Sequence, residues 1–102
     1  MGLLGRYRSV DVAGAKRAIA DGAVLVDVRS EREWAAGHAE GAIHIPLGEV
    51  DERSGELPSG REVVVMCHTG LRSAVAARKL GRLGLRVANL RGGLIAWDRA
   101  NR

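Results

Sequence analysis

Phenylalanine is absent, and one tyrosine and two tryptophans are the only aromatic residues in the 102-residue chain. A core so poor in rings has to be built from aliphatic side chains. A nucleic-acid surface would also lack the stacking platforms that such surfaces use. Cysteine occurs once, at Cys67, so no internal disulfide can form and stability must come from apolar packing. That usage fits a reducing compartment, with the cytoplasm the default. Cys67 and His68 are adjacent, and no second cysteine supplies a ligand at useful spacing, so neither a metal nor another cofactor is expected. No apolar stretch is long enough to span a bilayer. The opening run Met1–Arg6 is too short for a signal peptide, and Arg6 stands where a myristoylation signal has Ser or Thr. No membrane partner is expected. At this length, one small domain over residues 1–102 is expected, without repeat or linker.

Charge is present but uneven. The net charge is +4, yet residues 1–56 hold 7 Lys and Arg against 10 Asp and Glu, whereas residues 57–102 hold 9 against 2. No basic cluster forms a recognisable nucleic-acid module. A positive field that draws small anions towards Cys67 accounts for the split. An arginine-rich solvated surface accounts for it equally well.

The chain is organised around Val63-Val64-Val65-Met66, an apolar, β-branched run that reads as a buried strand. Cys67 stands at its end, followed by a short turn with Gly70 and a helical pattern from Ser73 to Leu80. A cysteine between a strand's carboxyl end and a helix N-terminus lies where α/β proteins do their chemistry. Turn amides converge there, the helix adds partial positive charge, and Arg72 adds a full one. Each favours thiolate over thiol and would hold an anion.

Before this strand, Tyr7-Arg8 suits a short edge strand. Ser9 suits an N-cap for a helix with Val12, Ala15 and Ile19 on one face, ending at Gly22. Ala23–Val28 reads as a parallel inner strand. Asp27 and Arg29, two apart, would point the same way, as charge pairs that anchor loops at strand ends do. Ser30 and Glu33 have capping-box spacing for a short helix that ends at Gly37, with Trp34 packing inward. Gly41–Pro46 holds a short strand, and Leu47–Glu56 a weakly periodic helix or turn. After the cysteine loop, Ala76, Leu80 and Leu83 mark the buried side of a helix that stops at Gly84, while Arg78, Lys79 and Arg82 face solvent. Leu85–Leu90 makes a last strand, Gly92-Gly93 a tight turn, and Leu94–Arg99 a terminal helix. Alternating strands and helices predict a three-layer α/β/α domain on a mostly parallel sheet.

Cys67-His68-Thr69-Gly70-Leu71-Arg72-Ser73 resembles the active-site loop of rhodanese-like sulfurtransferases. Asp27-Val28-Arg29, Gly37-His38 with Gly41–Pro46, and Gly92–Trp97 resemble that family's other signatures, in order, over about residues 9–97. The resemblance implies a five-stranded sheet. It also implies a structural role for Asp27 and Arg29, and a buried, hydrogen-bonded His38 that fixes its loop. At His44 the family often has Asn, and before the Gly-Gly pair it often has an acidic residue where this chain has Arg91. The roles of His44 and Arg91 are therefore open.

The implied chemistry is sulfur transfer. Cys67 thiolate takes the outer sulfur of thiosulfate or a related small anionic donor and becomes a persulfide, which cyanide, a thiol or a thiol-bearing protein then unloads. Loop amides and Arg72 neutralise the anion. The hydroxyls of Thr69 and Ser73 either donate hydrogen bonds or cap the helix, capping being the ordinary role for Ser73. His68 and Leu71 shape the entrance. A cysteine phosphatase or arsenate reductase places five residues between Cys and Arg, whereas four intervene here, which narrows the cradle. A sulfur carrier or a sensory module on the same fold is the remaining alternative.

Overall fold

Four-residue runs of aliphatic side chains make the inner strands, and short helices join them. The computed structural model describes residues 6–102; Met1–Gly5, most of the opening run expected to carry no targeting signal, lies outside the described residues. The strands are β1 (Arg8–Val10), β2 (Val24–Asp27), β3 (Ile43–His44), β4 (Val63–Met66) and β5 (Val87–Leu90). They form one sheet in the order β1-β5-β4-β2-β3, with every pair parallel. The helices are α1 (Val12–Ala20), α2 (Glu31–Ala35), α3 (Val50–Arg53), α4 (Leu71–Arg82) and α5 (Gly93–Ala100). Short 3-10 turns at Leu47–Glu49 and Ser54–Glu56 flank α3. No helix among the described residues is long and apolar enough to cross a membrane.

β4 lies at the centre, and its alternation divides the core. Val63, Val65 and Cys67 join Val50, Ala76, Ala77 and Leu80 on one side of the sheet. Val64 and Met66 join Ala15, Ala18 and Leu90 on the other, with Leu94 and Trp97 of α5 packed against them. Both faces of β4 are therefore apolar, as a strand covered by helices on each side requires. These are the expected three layers.

Details differ from expectation where local chemistry wins. Asp11, not Ser9, caps α1: its carboxylate accepts the Gly14 N–H at 2.8 Å, while Ser9 is drawn into β1 opposite Asn89. An acidic side chain also complements the positive end of the helix. Leu83 is 52% exposed rather than buried. It is the C-cap of α4, where the chain leaves helical geometry, and Ala77 and Gly81 fill the buried stripe instead. Trp34 does not enter the core, because α2 buries no residue. Its ring is stacked between His38, at 3.5 Å, and His44, at 4.6 Å. Lys79 is half-buried and pairs with Asp51 at 3.1 Å.

From β2 the chain moves outward to β3, and from β4 it moves the opposite way to β5. The carboxyl ends of these two neighbours therefore flank a crevice, the usual ligand position in an open α/β sheet. Asp27 and Met66 are in register at that end, so Cys67 leaves β4 beside the point where Val28 leaves β2, and both join the same core cluster.

Candidate active site

Cys67 follows β4 directly, and its residue surface is 1% exposed. The loop after it turns so that amides face the sulfur. The Gly70 N–H donates to Cys67 Sγ at 3.0 Å, and the Ser73 hydroxyl donates at 3.4 Å. Burial pushes the thiol up, but the Ser73 hydroxyl and the backbone N–H groups of Ser73, Gly70 and Thr69 outweigh it, so Cys67 lies below its ordinary value.

The amides face inward because the carbonyls are held outward. Leu94 N–H donates to Cys67 O at 2.8 Å and Ile95 N–H to His68 O at 3.3 Å, both from the first turn of α5. In a trans peptide the C=O and the following N–H point opposite ways, so anchoring the His68 carbonyl turns the Thr69 amide towards Sγ. Gly93 permits this approach. A methyl there would stand 2.6 Å from His68 O and nearer still to Cys67 O, and its φ of 54° is left-handed. At the far side of the loop, buried Asn89 donates from Nδ2 to Gly70 O at 3.1 Å. Gly70, at φ 113°, is the N-cap of α4. Ser73 therefore does not cap the helix. It is fully buried beneath the sulfur.

His68 and Thr69 are exposed on the loop, and Leu71 projects at its rim with 79% of its surface exposed. Arg72 makes no hydrogen bond to the sulfur. Its Nη1 and Nη2 donate to Glu33 Oε1 and Oε2 at 2.6 and 2.8 Å. Arg72 and Ser30 hold the Glu33 carboxyl well below the usual carboxylate range, and Glu33 raises Arg72.

Asp27 and Arg29 form a buried ion pair. Arg29 Nε and Nη2 reach both Asp27 oxygens at 2.8–3.0 Å. Nη2 also donates to Gly37 O at 2.8 Å, which ties the end of β2 to the end of α2. His38 is exposed rather than buried, because it lies flat on the outer face of Trp34. Its Nδ1 faces Trp34 O at 2.8 Å and, since a carbonyl only accepts, donates there. His44 Nε2 donates to Arg29 O at 2.8 Å. Arg91 is exposed beside the turn. Beside the loop lies a cavity of about 500 Å³, lined by Arg29, Glu33, Gly37, His38, His68 and Asp98 among others.

Three residues of this arrangement escaped the sequence reading. Glu33 was legible only as half of a capping box, a job it also performs. Asn89 carries a faint signal, an amide in an otherwise apolar strand. From sequence Gly93 reads as turn geometry, whereas the closeness of α5 to the loop is what requires it.

Residues 11–100 match the rhodanese-like domain. A sulfurtransferase of Allochromatium vinosum is 43% identical over 77 residues, 74% of this chain and 72% of that protein. YrkF of Bacillus subtilis, named as a sulfur carrier, is 40% identical over 72% of this chain, but the match spans only 40% of YrkF. The crystal structure of a rhodanese-related protein from Thermoplasma volcanium superposes with a TM-score of 0.83 at 32% identity, covering 92% of this chain and 93% of that one. With the family model spanning residues 11–100 and a solved relative superposing over 92% of the chain, the chain belongs to the rhodanese-like domain family.

Proposed function

We propose that this chain is a sulfurtransferase that carries sulfane sulfur on Cys67, loaded from thiosulfate or a related anionic donor. The observation that carries the reading is the cradle itself, in which the Gly70 N–H and the Ser73 hydroxyl point at a sulfur beside a helix N-terminus. The Cys67 thiolate attacks the outer sulfur of thiosulfate. The S–S bond breaks with its electron pair on the departing sulfite, and Cys67 is left as a persulfide anion. Cyanide then takes the outer sulfur as thiocyanate, or a thiol takes it as a new persulfide, and the thiolate returns. Donors grouped around the sulfur stabilise the anion at each stage. His68, Thr69, Leu71 and Arg72 border the approach, and Asp27, Arg29 and His38 hold the neighbouring loops. A reducing compartment such as the cytoplasm would keep the lone thiol available.

The sulfur-carrier name of one relative favours a second reading, in which the persulfide passes only to a particular thiol-bearing protein. Intact mass spectrometry after thiosulfate treatment tests the first step. One added sulfur per chain is expected, lost on addition of cyanide, with no gain in Cys67→Ser. If the native protein gains no mass, or Cys67→Ser still transfers sulfur, sulfur transfer at Cys67 is refuted. Loading without thiosulfate–cyanide turnover would favour the carrier.

A further inference from the structure

We infer that Glu33 is a specificity-determining residue that neutralises Arg72 and so tunes the site towards donors of lower negative charge. The inference rests on the proposed sulfur transfer and names which donors that site prefers. Arg72 is the only arginine or lysine in the Cys67–Ser73 segment. Both its terminal nitrogens are engaged by one carboxylate, at 2.6 and 2.8 Å. The pair is partly exposed, but its two parallel hydrogen bonds resist opening by a passing anion more than a single contact would. The Glu33 carboxylate is also fixed on its own helix, because Oε1 accepts the Ser30 N–H at 3.1 Å and the Ser30 hydroxyl at 3.0 Å.

The cavity beside the loop repeats this balance. Its one arginine, Arg29, is committed to buried Asp27, and its wall also carries the carboxylates of Glu33 and Asp98. Among the described residues, then, no unpaired lysine or arginine lines that cavity. A dianion such as thiosulfate that passes this wall on its way to the amide cradle gains no free cation from it, and each further negative charge meets the Glu33 carboxylate. A donor bearing one charge less keeps the same sulfur chemistry and avoids that repulsion.

Glu33→Gln is the discriminating variant, because glutamine retains the capping box while removing the charge. The measurement is the ratio of kcat/KM for thiosulfate, a dianion, to that for benzenethiosulfonate, a monoanion that releases benzenesulfinate in place of sulfite. For charges several ångströms apart at a half-exposed site, the ratio should rise roughly five- to tenfold in the variant. The increase should shrink as salt is raised. An unchanged ratio, or an equal fall for both donors, would reduce Glu33 to a structural anchor and overturn the inference.

Protection of Cys67 from alkylation by sulfite gives a readout that needs no turnover. It should strengthen in Glu33→Gln. If neither donor loads the native protein while sulfite protection still strengthens, the sulfur-transfer reading fails and the charge role of Glu33 survives. Unaltered protection would count against Glu33 directly.

Discussion

A thiol ringed by hydrogen-bond donors titrates differently from one in water, and Ser73 is the donor most easily removed. Its hydroxyl contributes the largest lowering of the Cys67 value. Alkylation of native Cys67 should therefore rise with pH at a midpoint below that of an ordinary thiol, about 8.5. Ser73→Ala should move the midpoint upward. An unmoved midpoint would assign the lowering to the backbone alone. The same shift has a sign in stability. A depressed folded value means that stabilisation is complete above the unfolded value and is lost as pH falls through the folded one. Comparing native and Ser73→Ala unfolding from neutral pH to about pH 10 should show the gap between them widening, because only the ionised sulfur benefits from the hydroxyl.

At the scale of elements, the loop is shaped by α5 as much as by its own residues. Gly93→Ala should cost more than Gly84→Ala. Both positions are left-handed, at φ 54° and 92°, but only at Gly93 does a methyl meet the loop carbonyls, whereas none of its neighbours lies within 4 Å at Gly84. The added overlap is worth about 1–3 kcal/mol in urea unfolding, and loading of Cys67 should slow with it. Equal costs would mean that α5 yields readily. Ser30→Ala should cost about 1 kcal/mol through the lost cap.

These contacts also mark where reading the chain stops. The strand Val63–Met66, the Gly70 turn and the Ser30–Glu33 box are local patterns, and each is legible because neighbours in sequence create it. The cap of α1 is ambiguous in sequence because Ser9 and Asp11 are both good caps, and a strand 80 residues away claims the first. The Arg72–Glu33 pair joins residues 39 apart, and the outward carbonyls of the loop depend on a helix beyond β5. No local periodicity encodes such meetings.

For the whole molecule, the acidic first half and basic second half are bound together rather than held apart. Arg72–Glu33 and Lys79–Asp51 each join a base of the second half to an acid of the first. Part of the excess positive charge near Cys67 is thereby cancelled. Raising ionic strength should still lower kcat/KM for thiosulfate more than for an uncharged sulfur donor. Equal sensitivity would dismiss long-range steering.

The sheet order has a consequence for synthesis. β1 is made long before β5, its one partner among the described residues, with Arg8 opposite Ala88. At about 5–20 residues per second, the ribosome needs roughly 4–16 s to supply that partner. Throughout that interval the opening strand is an unpaired edge, the kind that invites pairing with a neighbouring nascent chain. Its brevity, three residues with Arg8 and Ser9 exposed, limits the hazard until β5 arrives and pairs with it.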